Sequence, residues 1–280
     1  MNFKEARLLA FKELSSIGVP NPSLEADFIL EWATGKGRGY IHGYPEHMLS
    51  AAEEAKFKEA LERRAKREPL WYITGECEFW GLTFKVGPGC LVPRPETEIL
   101  VEAALEIFEE GIFLDWGTGS GCIAAAILSE KATCKAVAVD CSPKALFYAW
   151  WNFKNLGVLE RVLLWHSNGI WDLPEAYERV DLIVSNPPYI PSTEIQNLMP
   201  EVRLYEPKEA LDGGADGLKY YNLLRSVANR LLSHGGHLVV EIGSTFQWRQ
   251  LLKLYGGQFD LTDVRKDLSG LDRVLVFQRK

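Results

Sequence analysis

Ile112-Phe-Leu-Asp115-Trp-Gly117-Thr118-Gly119-Ser120-Gly121 is a short apolar strand that runs into a loop with glycine at every second place. Glycines let the backbone turn tightly and approach a ligand closely. A helix over Cys122–Glu130 follows, and its N-terminus offers free N–H groups behind the loop. Strand, glycine loop and helix are the opening unit of a doubly wound α/β sheet. Further strands at 136–139, 161–165, 181–185 and 237–242 extend that reading, with helices at 99–108 and 220–232. The chain closes with strands at 260–264 and 274–278 joined by a polar turn of Lys, Asp, Ser and Gly. Two strands with no helix between them predict an antiparallel pair at the sheet edge.

The loop spacing admits two ligands. Gly119-Ser-Gly121-Cys-Ile-Ala124 fits the dinucleotide fingerprint, while Asp115-x-Gly117-x-Gly119-x-Gly121 equally fits the loop that holds S-adenosylmethionine. Asp140, at the end of the next strand, suits hydrogen bonds from ribose hydroxyls in either case, since both ligands contain adenosine. The third strand leads into His166-Ser-Asn168-Gly169-Ile-Trp171, expected beside the adenine.

Strand 181–185 runs into Asn186-Pro187-Pro188-Tyr189. The prolines have fixed φ and no N–H, so the turn is stiff and presents its carbonyls outward. The Asn186 side-chain oxygen and the Pro187 carbonyl can together accept both hydrogens of a planar substrate NH₂. Tyr189 can then lie against the face of that group. In open α/β sheets, ligands sit beyond the carboxyl ends of the strands. The glycine loop, Asp140, Asn168 and Asn186 should therefore converge on one cleft. Nicotinamide chemistry has no need of an amine-gripping turn there, whereas methyl transfer to nitrogen does.

Residues 1–75 read as helices. Phe3, Ala6, Leu9, Ala10, Leu14 and Ile17 form one apolar stripe, stopped by Gly18 and Pro20. Ser23 is placed to cap a second helix ending near Gly35, and a loop rich in Gly and His follows. Ser50-Ala-Ala-Glu53 is a capping box opening a third helix through Arg67. This segment holds 11 Lys and Arg against 11 Asp and Glu, so the remainder carries the whole net charge of −7. That balance weighs against a nucleic-acid partner, whose affinity comes from basic surface. Residues 76–95 read as a β-hairpin linker and residues 96–280 as the catalytic domain.

No apolar run approaches the roughly 18 residues of a membrane span. Five scattered cysteines, without a Cys-x-x-Cys pair, predict reduced thiols and a cytoplasmic protein. His234 and His237 flank two glycines with no further ligand nearby, so no metal site is expected.

Taken together, the chain resembles the HemK/PrmC family of protein-(glutamine-N5) methyltransferases acting on peptide-chain release factors. The resemblance runs over nearly the full length. It is carried by Arg67-Glu-Pro-Leu with Thr74-Gly, Glu78-Phe-Trp-Gly, Val92-Pro-Arg-Pro-Glu-Thr-Glu98, the glycine loop, Ser185-Asn-Pro-Pro-Tyr-Ile190 and Glu206-Pro-x-x-Ala-Leu-Asp-Gly-Gly214. Asn-Pro-Pro-Tyr alone is shared with many nucleic-acid amino-methyltransferases. Pro-Arg-Pro-Glu-Thr-Glu combined with Glu-Pro-x-x-Ala-Leu is specific.

The resemblance implies an α/β fold: a seven-stranded Rossmann-like sheet with a reversed last strand and a small N-terminal helical domain for substrate recognition. It implies S-adenosylmethionine as cofactor, held by Gly117, Thr118, Gly119, Ser120, Gly121, Asp140, Asn168, Gly169 and Asn186. It implies catalysis by Asn186, Pro187 and Tyr189, with Pro188 completing the substrate turn. The expected substrate is the glutamine of the Gly-Gly-Gln motif in class 1 release factors, with no direct nucleic-acid contact and no membrane. A glutamine of a ribosomal protein and an adenine amine of nucleic acid are the alternative acceptors. One departure stands out: the family usually has an acid and then a bulky residue where Asn168 and Gly169 stand, with Trp171 displaced. An Asn oxygen can still accept from the adenine amino group.

Overall fold

The computed structural model describes residues 1–167, 177 and 179–280. The chain folds into two compact units, Met1–Glu76 with Met199–Tyr205, and Cys77–Leu198 with Glu206–Lys280.

The first unit is helical: α1 (Phe3–Ser16), α2 (Pro22–Thr34), α3 (Arg38–Gly43), α4 (Ala51–Ala65) and α5 (Leu70–Thr74). The stripe on α1 buries Phe3, Ala6, Ala10 and Leu14 against Ile29 and Leu30 of α2 and Phe57 and Leu61 of α4. Capping boxes open both long outer helices, Asn2 with Glu5 on α1 and Ser50 with Glu53 on α4. Two details differ from expectation. Pro22, pre-set for a first helical position, starts α2 after Asn21, so Ser23 lies inside the helix. The Gly- and His-bearing segment forms the short α3, anchored where His42 Nε2 meets Asp27 Oδ2 at 2.8 Å. Arg64 is buried and binds Glu25 (2.6 Å) and Glu201 (3.0 Å), which ties the distant Met199–Tyr205 segment into this unit.

The second unit begins with a hairpin, β1 (Glu76–Phe79) and β2 (Leu82–Lys85). Its two-residue turn, Trp80-Gly81, has both φ positive (54° and 66°), the geometry that matches strand twist. Trp80 tolerates it because its N–H donates to Glu98 Oε1 (2.7 Å) and its indole N–H to Glu130 Oε1 (3.0 Å). Next come α6 (Glu98–Ile107), β3 (Ile112–Trp116), α7 (Cys122–Glu130), β4 (Lys135–Asp140), α8 (Pro143–Asn155), β5 (Val162–His166) and β6 (Val180–Ser185). After α9 (Pro200–Tyr205), which belongs to the first unit, the order is α10 (Lys219–Leu231), β7 (Leu232–Glu241), α11 (Thr245–Tyr255), β8 (Phe259–Lys266) and β9 (Asp272–Arg279).

Seven strands form one sheet in the order β5-β4-β3-β6-β7-β9-β8. The five on the β5 side are parallel, and β9 is antiparallel to both β7 and β8. The expected reversed strand is thus present, inserted one place in from the edge. The inner parallel strands β3, β4, β6 and β7 are buried on both faces over most of their length, as parallel sheets require: Leu114, Val137, Val139, Ile183, Leu238 and Val240 join one core with α10 and α11. The strand order reverses at β3 and β6, since the chain moves outward from β3 to β5 and then returns to place β6 on the other side of β3, and this sets the switch point where a ligand cleft opens.

Candidate active site

The carboxyl ends of β3, β4, β5 and β6 surround a cleft of ≈ 1030 Å³ lined by Gly117, Gly119, Asp140, Ser167, Asn186, Pro187 and Pro188, among others. Gly117, Gly119 and Gly121 have φ of 80°, 57° and 81°. A Cβ at Gly117 or Gly119 would meet nothing within 4 Å, so those two backbones are bared to the cleft. Gly121 serves packing instead, since a Cβ there would stand 2.7 Å from the Phe153 ring. Thr118 and Ser120 are buried beneath the loop. The Thr118 hydroxyl donates to Asp115 Oδ2 (2.7 Å), which also accepts from the Ala124 N–H (3.3 Å). Burial pushes the Asp115 carboxyl up to about 7, and Oδ1 has no partner among the described residues.

Asp140 shapes the loop from the neighbouring strand. Its Oδ2 accepts from the Gly119 N–H (2.9 Å) and its Oδ1 from the Ser142 N–H (2.8 Å). Burial raises its carboxyl, while the Ser142 and Gly119 amides oppose the rise. Asn168 and Gly169 lie outside the described residues.

The turn after β6 is held from several sides. Ser185 Oγ donates to the Trp116 carbonyl (2.7 Å), tying the strand before Asn186 to the strand before the glycine loop. The Tyr189 carbonyl accepts from Gln247 Nε2 (2.7 Å). Ile190 exchanges backbone bonds with the Ala210-Leu-Asp-Gly-Gly segment: its N–H donates to Leu211 O (3.0 Å), and its carbonyl accepts from the Gly213 N–H (2.8 Å). Asn186 Nδ2 donates to Thr97 Oγ1 (3.0 Å), and no described group donates to Asn186 Oδ1. Tyr189 is not part of the cleft lining. Its ring edge lies where a Gly243 Cβ would stand, 2.6 Å away, and its hydroxyl donates to Glu241 Oε1 (3.2 Å).

Two stretches read only as family signatures meet in space. Arg94 of Pro-Arg-Pro-Glu-Thr-Glu donates to both carboxylate oxygens of Glu206 at 2.7 Å. Beyond that pair, Pro207, Glu209 and Ala210 line the cleft. Sequence reasoning missed Glu241, which is 1% exposed at the end of β7 and accepts from Thr97 Oγ1 at 2.7 Å. A carboxylate between Val240 and Ile242, directly after the apolar run Leu238-Val-Val240, was the available signal.

The residues fit a nucleoside-bearing sulfonium ligand: a glycine backbone bared to the cleft at Gly117 and Gly119, the Asp140 carboxylate beside it, and an apolar wall including Trp116, Val139 and Leu223. Fold and loop together define the class, a methyltransferase of the kind that uses S-adenosylmethionine. Residues 5–75 match the PrmC N-terminal domain and residues 95–216 the methyltransferase small domain. The release factor glutamine methyltransferase of Caulobacter vibrioides is 41% identical over 94% of this chain and 91% of its own length. That of Moorella thermoacetica is 39% identical over 100% of this chain and 99% of its own. The chain belongs to the release factor glutamine methyltransferase family. The methyltransferase structure from Pyrococcus furiosus shares the fold, with a TM-score of 0.54 at 19% identity, over 78% of this chain and 98% of that one.

Proposed function

We propose that this protein transfers a methyl group from S-adenosylmethionine to the side-chain amide nitrogen of the glutamine in the Gly-Gly-Gln motif of class 1 peptide-chain release factors. The observation that carries this reading is the orientation of Asn186. Its NH₂ is committed to Thr97 Oγ1 (3.0 Å), which leaves Oδ1, on a residue that lines the cleft beside Pro187, as a hydrogen-bond acceptor for a substrate amide NH₂. The specific relatives and the family models on both parts of the chain support it.

A glutamine amide nitrogen is a poor nucleophile because its lone pair is delocalised. Hydrogen bonds from both its N–H groups to Asn186 Oδ1 and the Pro187 carbonyl push electron density onto that nitrogen and hold it in line. The bound cofactor supplies an electrophilic methyl on a sulfonium. Gly117 and Gly119 would hold it, on a loop braced by the buried Thr118 and Ser120 and by the packing of Gly121, with Asp140 at the ribose; the adenine contact is assigned to Asn168 and Gly169. Asn186, Pro187, Pro188 and Tyr189 form the substrate turn. Acceleration comes from positioning and preorganised dipoles. No strong base is required, since an N-methylated amide cation sheds its proton readily. The helical unit recognises the body of the release factor.

The test is a transfer assay with labelled methyl donor. Release factor, the same factor with its loop glutamine replaced, ribosomal protein and DNA are compared as acceptors. Label confined to the intact release factor is expected; label on DNA, or on ribosomal protein alone, overturns the reading.

A further inference from the structure

An asparagine can present either end of its amide, because oxygen and NH₂ are nearly equal in size and opposite in polarity. Only the oxygen end can accept a substrate hydrogen, so something must choose. The Thr97 hydroxyl has one proton, and it goes to Glu241 Oε2 at 2.7 Å. Toward Asn186 the hydroxyl can therefore only accept, and it receives Nδ2–H at 3.0 Å. A flipped amide would face oxygen to oxygen lone pairs. Glu241 is kept in its accepting role by a second donor, the Tyr189 hydroxyl on Oε1 (3.2 Å). The junction is closed to water, with Thr97 2% and Glu241 1% exposed. Its backbone is also fixed: the Thr97 N–H donates to the Arg94 carbonyl (3.0 Å), and the Glu241 carbonyl accepts from the Tyr221 hydroxyl (2.9 Å).

We infer that Thr97 and Glu241 are positioning residues for methyl transfer, a buried chain from Asn186 through the Thr97 hydroxyl to the Glu241 carboxylate that locks the Asn186 oxygen toward the substrate amide. The inference rests on the proposed glutamine chemistry. It separates the roles of two residues in one motif: Arg94 holds Glu206, whereas Thr97 sets the polarity of Asn186.

The experiment compares Thr97→Val, which keeps the shape and removes the hydroxyl, with Thr97→Ser, which keeps the hydroxyl, in the full chain with release factor as acceptor. Thr97→Val lowers kcat roughly 10- to 100-fold, the range for removing a group that orients a polar partner. KM for the release factor and calorimetric Kd for S-adenosylmethionine stay within about threefold, the scale of a sub-kcal/mol change. Thr97→Ser recovers most of the lost kcat. Where Thr97→Val lacks a native melting transition, Thr97→Ala is read in its place. An unchanged kcat in the hydroxyl-free variant, or an equal loss in Thr97→Ser, overturns the inference while the function stands. No glutamine methylation by the wild type overturns the function itself.

Discussion

Asn186 and Asp140 sit on the same cleft but are asked for different things. Asn186→Ala removes the acceptor for the substrate amide and lowers kcat by roughly 10²–10³, as for other preorganised dipoles. Saturating-substrate kinetics with a parallel cofactor titration check this, and the cofactor Kd moves much less than kcat. Asp140→Ala does the reverse. It weakens calorimetric binding of S-adenosylmethionine by about 1.5–3 kcal/mol, the range for hydrogen bonds to a charged group. Because Asp140 also receives the Gly119 and Ser142 amides, the loop loses a brace as well as an acceptor. Equal affinities for wild type and variant would remove Asp140 from the site. Both residues were legible in the chain because each ends a strand and carries a polar group where an apolar run stops. Thr97 and Glu241 were not assembled that way. They are 144 positions apart, and their contact exists only once α6 and β7 have packed.

At the scale of elements, the apolar strands β3, β4 and β6 and the helix α7 could be read almost to their ends, since each is a continuous run bounded by Gly, Asp or Asn. Helices α8 and α11 were harder. Each buries only a narrow apolar stripe, Ala145, Ala149 and Phe153 in α8 and Leu251 and Tyr255 in α11, among further aromatic and polar residues, and the signal that starts each is a serine cap, Ser142 or Ser244. Strand β7 begins at Leu232, five places before the expected start, because the glycines Gly235 and Gly236 lie within the ladder's span. Where the end of β7 meets α6, pH acts in two directions. Burial holds the Glu241 carboxyl up at about 7, above its usual 4.5, although Thr97, Tyr189 and Arg273 oppose this and Glu96 adds to it. Asp115 rises from 3.8 to about 7 by burial. A raised carboxyl pKa stabilises the fold below the unfolded value, and that stability is lost as pH rises through about 7. The ionised Glu241, which accepts from both Thr97 and Tyr189, is the form that orients Asn186. Between pH 8 and 5, kcat should therefore fall while the contribution of these two acids to the melting temperature rises (about three pH units spanning the shifted range). Glu241→Gln flattens its share of the melting slope. An identical slope in wild type and variant would contradict the assignment.

For the whole molecule, the two family-model matches fall one on each part of the chain, residues 5–75 and 95–216. Residues 1–75 are neutral in charge, and Arg64 and Arg67 are engaged by Glu201, so neither of these two arginines offers an uncompensated basic surface. Among the described residues, no helix is long and apolar enough to cross a membrane. A free Gly-Gly-Gln peptide should be a much poorer substrate than a folded release factor, because only the folded protein offers a body for the helical unit to hold. The central claim is that one glutamine side-chain amide receives the methyl group. It is tested most directly by incubating the protein with S-adenosylmethionine and a class 1 release factor, then fragmenting the product in a mass spectrometer. The account predicts one added methyl on the side-chain amide of the Gly-Gly-Gln glutamine, absent when that glutamine is replaced. A methyl group on any other residue, or one that persists after the replacement, would contradict it.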